Sequence, residues 1–137
     1  MRIKDKIQEI ENYLEELESV FPLSLDEYKK SFKLKAIGER YFEKILVAII
    51  DLAFLIIKEK CLKIPEEEKE AFDILEKSNI ISEKLCEKLK DAKGMRNIIA
   101  HEYGKIDDEV VFHALTEELV RDTNEFIRSI SDFLKLK

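Results

Sequence analysis

Along the first segment the apolar residues Ile3, Ile7, Ile10, Leu14 and Leu17 recur at three- and four-residue steps, while Lys4, Lys6, Glu9, Glu11, Glu15 and Glu16 fill the positions between. This spacing predicts a helix from Arg2 to about Val20 with one buried stripe. Phe21-Pro22 ends it, because a residue before proline is pushed out of the α region. Ser24, with Glu27 three positions on, reads as a capping box. From Leu25 to about Cys61 no strong breaker occurs. The segment is one long helix, or two in near continuation, with Gly38 as the place for a bend. Its second half, Ile45 to Ile57, is apolar on nearly every side and carries Asp51 inside it and Lys44 and Lys58 at its edges. A membrane span needs about 20 apolar residues, more than this run offers. A helix with so little polar face belongs at the centre of a bundle or at a subunit interface. The expectation here is both, with one side packing the core and the other a second copy.

Pro65 stands where a first helical residue would, and Glu66, Glu67 and Glu68 suit the positive end of a helix dipole. Ala71, Phe72, Ile74 and Leu75 form the buried face of that short helix, which Ser78-Asn79 closes. Ser82 caps the next, which buries Leu85, Cys86, Leu89 and Ala92 and runs past Gly94-Met95 through Arg96 to His101, with Gly104 placed as its C′ residue. Asp107 or Asp108 starts a last helix with Val110, Val111, Leu115, Leu119, Phe126, Ile130 and Phe133 turned inward. Three Gly and two Pro in 137 residues exclude a many-stranded sandwich or barrel. The predicted class is all-α: an antiparallel bundle of four to six helices forming a single domain over residues 1–137.

Composition narrows the function. Lys and Arg number 24 against 30 Asp and Glu, a net charge of −6, so no global basic field draws the chain to nucleic acid or anionic lipid. Any nucleic-acid role needs a local patch. Cys61 and Cys86 lie far apart, and the N-terminus opens directly into a charged segment with no signal peptide. Two reduced, partly buried thiols in a cytoplasmic, non-membrane protein are expected. With only His101 and His113 and no thiol pair, neither a metal site nor a cofactor is expected.

One stretch departs from ordinary helix composition: Lys93-Gly94-Met95-Arg96-Asn97-Ile98-Ile99-Ala100-His101-Glu102-Tyr103-Gly104. A guanidinium offers planar donors that match phosphate oxygens and keeps its charge near neutral pH. An imidazole passes protons there. Together they suffice for metal-free phosphodiester cleavage: His101 takes a proton from the attacking hydroxyl or gives one to the leaving oxygen, and Arg96 holds the charge developing at phosphorus. Five residues along a helix is a rotation of about 140°, so the two side chains do not share a face. The long Arg96 side chain wraps around, the helix distorts near Gly94, or the groups converge with those of a second subunit across a two-fold axis.

The run Arg96-Asn97-Ile98-Ile99-Ala100-His101-Glu102-Tyr103 resembles the HEPN superfamily, and within it the HepT-like toxins encoded beside a minimal nucleotidyltransferase, whose signature is Arg-x4-His-x-Tyr with a polar residue favoured after the Arg. Phe72-Asp73-Ile74-Leu75, Ile80-Ile81 and the apolar run holding Asp51-Leu52 fit the same pattern, so the likeness extends from about Arg40 to Leu119. The resemblance implies a homodimeric, metal-independent endoribonuclease. Arg96 would bind and polarise the scissile phosphate, His101 would be the acid–base group, and Asn97 would orient one of them. The 2′-hydroxyl of RNA would be the nucleophile, leaving a cyclic phosphate. Tyr103 would be the residue that the nucleotidyltransferase antitoxin modifies with AMP. A bulky anion two residues from His101 would repel RNA phosphates and silence the toxin.

Other features weigh less. Asp51 reads first as a buried acceptor fixing helix register and second as a support lining the cleft. Lys88, Lys90, Lys93, Arg96 and Lys105 make a modest basic patch, diluted by Glu87 and Asp91. His113 reads as a surface or interface residue, and Glu102 could raise the proton affinity of His101. A second function class stays open: a catalytically weak helical module that docks and regulates the nucleotidyltransferase. A purely structural helical dimer ranks last, since it leaves the clustered polar residues unexplained.

Overall fold

Helix α1 (Arg2–Val20) buries Ile3, Ile7, Ile10, Leu14 and Leu17, the whole stripe that its spacing predicts. The computed structural model describes residues 2–21, 24–101 and 107–135. After α1 come α2 (Leu25–Lys30), α3 (Phe32–Glu59), α4 (Glu68–Lys77), α5 (Glu83–His101), α6 (Asp108–His113) and α7 (Leu119–Leu134). A π-helical turn, Ala114–Glu118, joins α6 to α7 without a break, so the described residues form six separate rods and no strand.

α3 is the axis of the bundle, with α1, α4 and α5 packed around it. α1 runs antiparallel to it: Tyr41 donates to Glu16 at 2.7 Å near one end, and Lys6 lies 3.8 Å from Asp51 nearer the other. Nine of the thirteen residues from Ile45 to Ile57 are buried within a single chain. What stays outside is a narrow stripe of Val47, Asp51, Phe54 and Leu55, so most of the apolar surface expected to meet a second copy is already covered by this chain's own helices. Asp51 belongs to that stripe and is half exposed. The reading of it as a buried acceptor is therefore corrected: its register points it outward, beside Lys6.

Several boundaries differ from expectation for physical reasons. The long segment after Leu25 breaks at Ser31, not at Gly38. Ser31 is extended (φ −113°, ψ 108°), and its hydroxyl accepts the Leu34 N–H at 3.1 Å, replacing a carbonyl that the broken helix no longer supplies. Gly38 instead permits close packing, since a Cβ there would sit 2.6 Å from Leu115 Cδ1 in the π turn and 3.1 Å from the Phe21 ring. α4 begins at Glu68 rather than at Pro65; Pro65 is buried in the preceding loop, and the Glu66 N–H is met by Glu70 Oε2 at 3.2 Å. Val110 and Phe133, expected inside, are substantially exposed. The Lys60 ammonium sits 5.7 Å above the Phe133 ring.

α3 and α4 both end in Schellman motifs with a left-handed residue at C′, Cys61 (φ 54°) and Asn79 (φ 60°). Both thiols are free, but only Cys86 is buried, with its pKa pushed up to about 11, first by burial and then by Asp73; Cys61 is exposed. Ser82 caps α5 by accepting the Leu85 N–H at 3.0 Å, and Asp107 caps α6 through the Glu109 N–H at 2.8 Å.

Candidate active site on helix 5

α5 carries the Arg-x4-His motif on a regular α-helix. Leu85, Cys86, Leu89 and Ile99 anchor it in the core, and the helix continues unbroken through Gly94 to His101. Distortion at Gly94, one of three ways to bring Arg96 and His101 together, therefore does not occur. The side chains remain about 140° apart around the helix.

Arg96 packs in the seam between α5 and α4 and is only 21% exposed. Its Nη1 donates to Asn97 Oδ1 at 3.1 Å and lies 3.5 Å from Glu68 Oε1. Its Nε is inaccessible and has no partner among the described residues. Two acceptors thus hold the guanidinium in place through Nη1. Asn97, the polar residue after the Arg, thus has its side-chain oxygen on Arg96 rather than on His101. Glu68 escaped the sequence reading: it stands 28 positions away, and only the antiparallel pairing of α4 with α5 brings it close.

His101 is the last residue of α5 and is exposed. No hydrogen bond joins it to Arg96 among the described residues. It shares a face with Gly94 and Ile98, which are also exposed. A Cβ added to Gly94 would meet nothing within 4 Å, and Ile98 leaves 41% of its surface in solvent. Glu102, Tyr103, Gly104 and Lys105 lie outside the described residues.

The expected basic patch is largely neutralised. Lys90 pairs with Asp73 at 3.0 Å, Lys88 approaches Asp122 at 3.9 Å, and Arg96 faces Glu68. His113 lies on the surface with Nδ1 2.9 Å from Glu117, as expected of a residue outside the motif. No cluster of His, Cys, Asp or Glu able to hold a metal ion exists among the described residues, and no described helix is long and apolar enough to cross a membrane.

The fold is an all-helical bundle that carries a partly buried, hydrogen-bonded guanidinium and an exposed imidazole on one helix. Residues 10–130 match the family described as ribonuclease HepT-like, and the chain belongs to that family of ribonucleases. It is 31% identical over 132 residues to the tRNA nuclease HepT of Aphanizomenon flos-aquae, covering 96% of this chain and 89% of that one. It is 28% identical to the mRNA nuclease HepT of Shewanella oneidensis, covering 91% of this chain and 92% of that one. Among solved structures it superposes with a TM-score of 0.87 on the tri-AMPylated HEPN toxin of Shewanella oneidensis in complex with its MNT antitoxin, at 28% identity over 95% of this chain and 96% of that one.

Proposed function

We propose that this chain is a single-domain, cytoplasmic toxin that cleaves single-stranded RNA without a metal ion, and that a minimal nucleotidyltransferase antitoxin silences it by adding AMP to Tyr103. The carrying observation is the state of Arg96: seamed between α4 and α5 and oriented by Asn97, five positions before an exposed His101. The likeness to two named RNA nucleases and to an AMPylated toxin bound to its antitoxin supports the same reading.

The chemistry runs as an internal transfer. The 2′-oxygen attacks phosphorus, the bond from phosphorus to the 5′-oxygen breaks, and a 2′,3′-cyclic phosphate remains. His101 accepts the proton of the 2′-hydroxyl or delivers one to the departing 5′-oxygen. Arg96 stabilises the extra negative charge on the non-bridging oxygens. Because Arg96 and His101 occupy different sides of α5, the complete site is assembled by two chains across a two-fold axis. Gly94, Ile98 and His101 form the face that fits this pairing: the glycine lets a second helix approach, and the isoleucine is apolar where solvent would otherwise lie. Two His101 side chains in one groove then divide the base and acid roles.

The test is incubation with single-stranded RNA in EDTA, alongside Arg96→Ala and His101→Ala. The parent is expected to cut and both variants to stop. Variants that cut like the parent would end the assignment, and a parent that needs added magnesium would end its metal-free part. Adenylate mass on the parent but not on Tyr103→Phe, after incubation with the antitoxin and ATP, is the matching expectation for silencing. A monomer mass in light scattering at micromolar concentration would remove the shared groove.

The alternative, a catalytically weak module that docks and regulates the nucleotidyltransferase, is favoured by one observation: Lys88, Lys90 and Arg96 each face a carboxylate in a chain of net charge −6. It predicts tight partner binding and no RNA product above that of His101→Ala.

A further inference from the structure

We infer that the groove between the first half of α3 and the last turn of α5 is the strand-binding subsite of this ribonuclease, with Phe32 stacking a base of single-stranded RNA and Lys29, Lys30 and Lys33 holding its phosphates. This rests on the endonuclease reading above and extends it to residues far from the motif.

Phe32 follows the Ser31 break at the start of α3 and is 79% exposed, the most exposed large apolar side chain among the described residues. The α2–α3 kink puts it there, since Ser31 caps α3 while Tyr28 is drawn into the core against Phe112 at 5.4 Å between ring centroids. The ring borders an open groove of about 400 Å³ whose walls include Ala36 and the Arg40–Glu43 pair on α3 and Ile99 and Ala100 on α5, while Lys29, Lys30 and Lys33 flank the ring in sequence outside those walls. The α5 wall therefore ends at Ala100, the residue before His101 in the chain.

The charge pattern matches a polyanion. From Lys29 to Arg40 the sequence holds five cations and one carboxylate, in a chain that is acidic as a whole. Two of those cations are held locally, Lys35 by Asp108 at 2.9 Å and Arg40 by Glu43 at 2.7 Å. Lys29, Lys30 and Lys33 are exposed and have no carboxylate within ion-pair distance among the described residues. They contrast with Lys88, Lys90 and Arg96, which are paired. Glu39, also in the groove, has its carboxyl pKa raised, mainly by burial and then by Asp108, which weakens its opposition to a phosphate. An exposed ring, unneutralised lysines and an adjoining acid–base group are the parts by which proteins hold single strands without reading sequence.

The chain has no tryptophan, so Phe32→Trp supplies a unique fluorophore. The probe is a short 2′-O-methyl oligonucleotide, which lacks the attacking hydroxyl and so separates binding from cleavage. The indole of Phe32→Trp is expected to be quenched on binding. Phe32→Ala should weaken binding about tenfold and Phe32→Tyr should preserve it. Changing Lys29, Lys30 and Lys33 together to Gln should lower the slope of log affinity against log salt by about two. An unquenched indole, or unchanged affinity in Phe32→Ala together with an unchanged salt slope in the lysine variant, would overturn the subsite. So would a Phe32→Ala protein whose light-scattering mass falls to that of a monomer, because Phe32 would then be covered by a second chain. The two readings fail separately. Quenching without cleavage of ordinary RNA keeps the subsite and removes the nuclease activity. Cleavage by a parent whose Phe32→Ala variant binds as tightly removes the subsite alone.

Discussion

On the side of α5 that meets α4, polar groups are tied to neighbours, Arg96 Nε excepted: Cys86 Sγ donates to Asp73 at 3.6 Å, Lys90 pairs with the same carboxylate at 3.0 Å, and Arg96 Nη1 is held by Asn97 and Glu68. On another side, Gly94, Ile98 and His101 follow one another at helical spacing and are exposed, and a Cβ on Gly94 would meet nothing within 4 Å. The same helix thus holds one proposed catalytic group partly buried and presents the other by exposure. An arginine that must meet a phosphate in a fixed orientation gains from a rigid seam, because its rotamer entropy is lost once, on folding. An imidazole that must exchange protons with substrate gains from access.

The largest effect expected from this division is at His101. His101→Ala should lower the cleavage rate by about 10²–10⁴-fold, the usual span for losing a general acid–base group, while leaving the melting midpoint unchanged, because an exposed terminal side chain carries little packing. Arg96→Lys is the sharper companion. An ammonium cannot span Asn97 and a phosphate in the planar manner of a guanidinium, so activity should fall nearly as far as in Arg96→Ala. A drop in melting midpoint for His101→Ala as large as that for a core truncation would erase the contrast between the two faces.

Next in size are the two glycines on either side of the comparison. Gly38 faces inward, and a Cβ there collides with Leu115 and Phe21, so Gly38→Ala should cost about 1–3 kcal/mol of overpacking, only partly offset by the helix propensity of alanine. Gly94 faces outward with open space around it, so Gly94→Ala should stabilise an isolated chain by about 1 kcal/mol. Gly94→Glu should in addition separate the two copies and abolish cleavage, read as a fall to monomer mass. Thermal melts showing both alanine variants shifted in the same direction would contradict the packing described here, and an unchanged mass for Gly94→Glu would contradict close approach of paired α5 helices.

Much of this was legible in the residue pattern, and the exceptions share a cause. The bounds and buried stripe of α1, the Ser82 and Asp107 caps and the Ser78-Asn79 stop are local matters, decided by spacing and by hydroxyl or carboxylate oxygens within three residues of the groups they cap. The break at Ser31 is decided elsewhere, by Tyr28 and Phe112 packing together from different helices. Asp51 looked buried because its neighbours are; its exposure depends on which side of α3 is left uncovered by α1, α4 and α5, and periodicity in a nearly continuous apolar run does not specify that. The π turn and its Leu115–Gly38 contact, and the Glu68–Arg96 pair, likewise need two distant segments in register. At the site, Arg96, Asn97 and His101 were visible as a motif, whereas Glu68 and Phe32 gain meaning only from the fold.

Glu68 also sets the smallest of the expected effects. Its carboxylate lies 3.5 Å from Arg96 Nη1, where a phosphate oxygen would compete with it, and its side chain is 46% exposed. A pair this open contributes about 0.2–1 kcal/mol, so Glu68→Gln should leave the melting midpoint within about a degree or two of the parent. The same change removes a rival for the guanidinium and keeps a neutral acceptor to orient it. RNA affinity should therefore rise a few-fold, appearing as a lower KM with kcat nearly unchanged, since ground state and transition state gain alike. If KM is constant and kcat falls, Glu68 positions Arg96 rather than competing for it, and the α4 side of the seam belongs to the catalytic geometry.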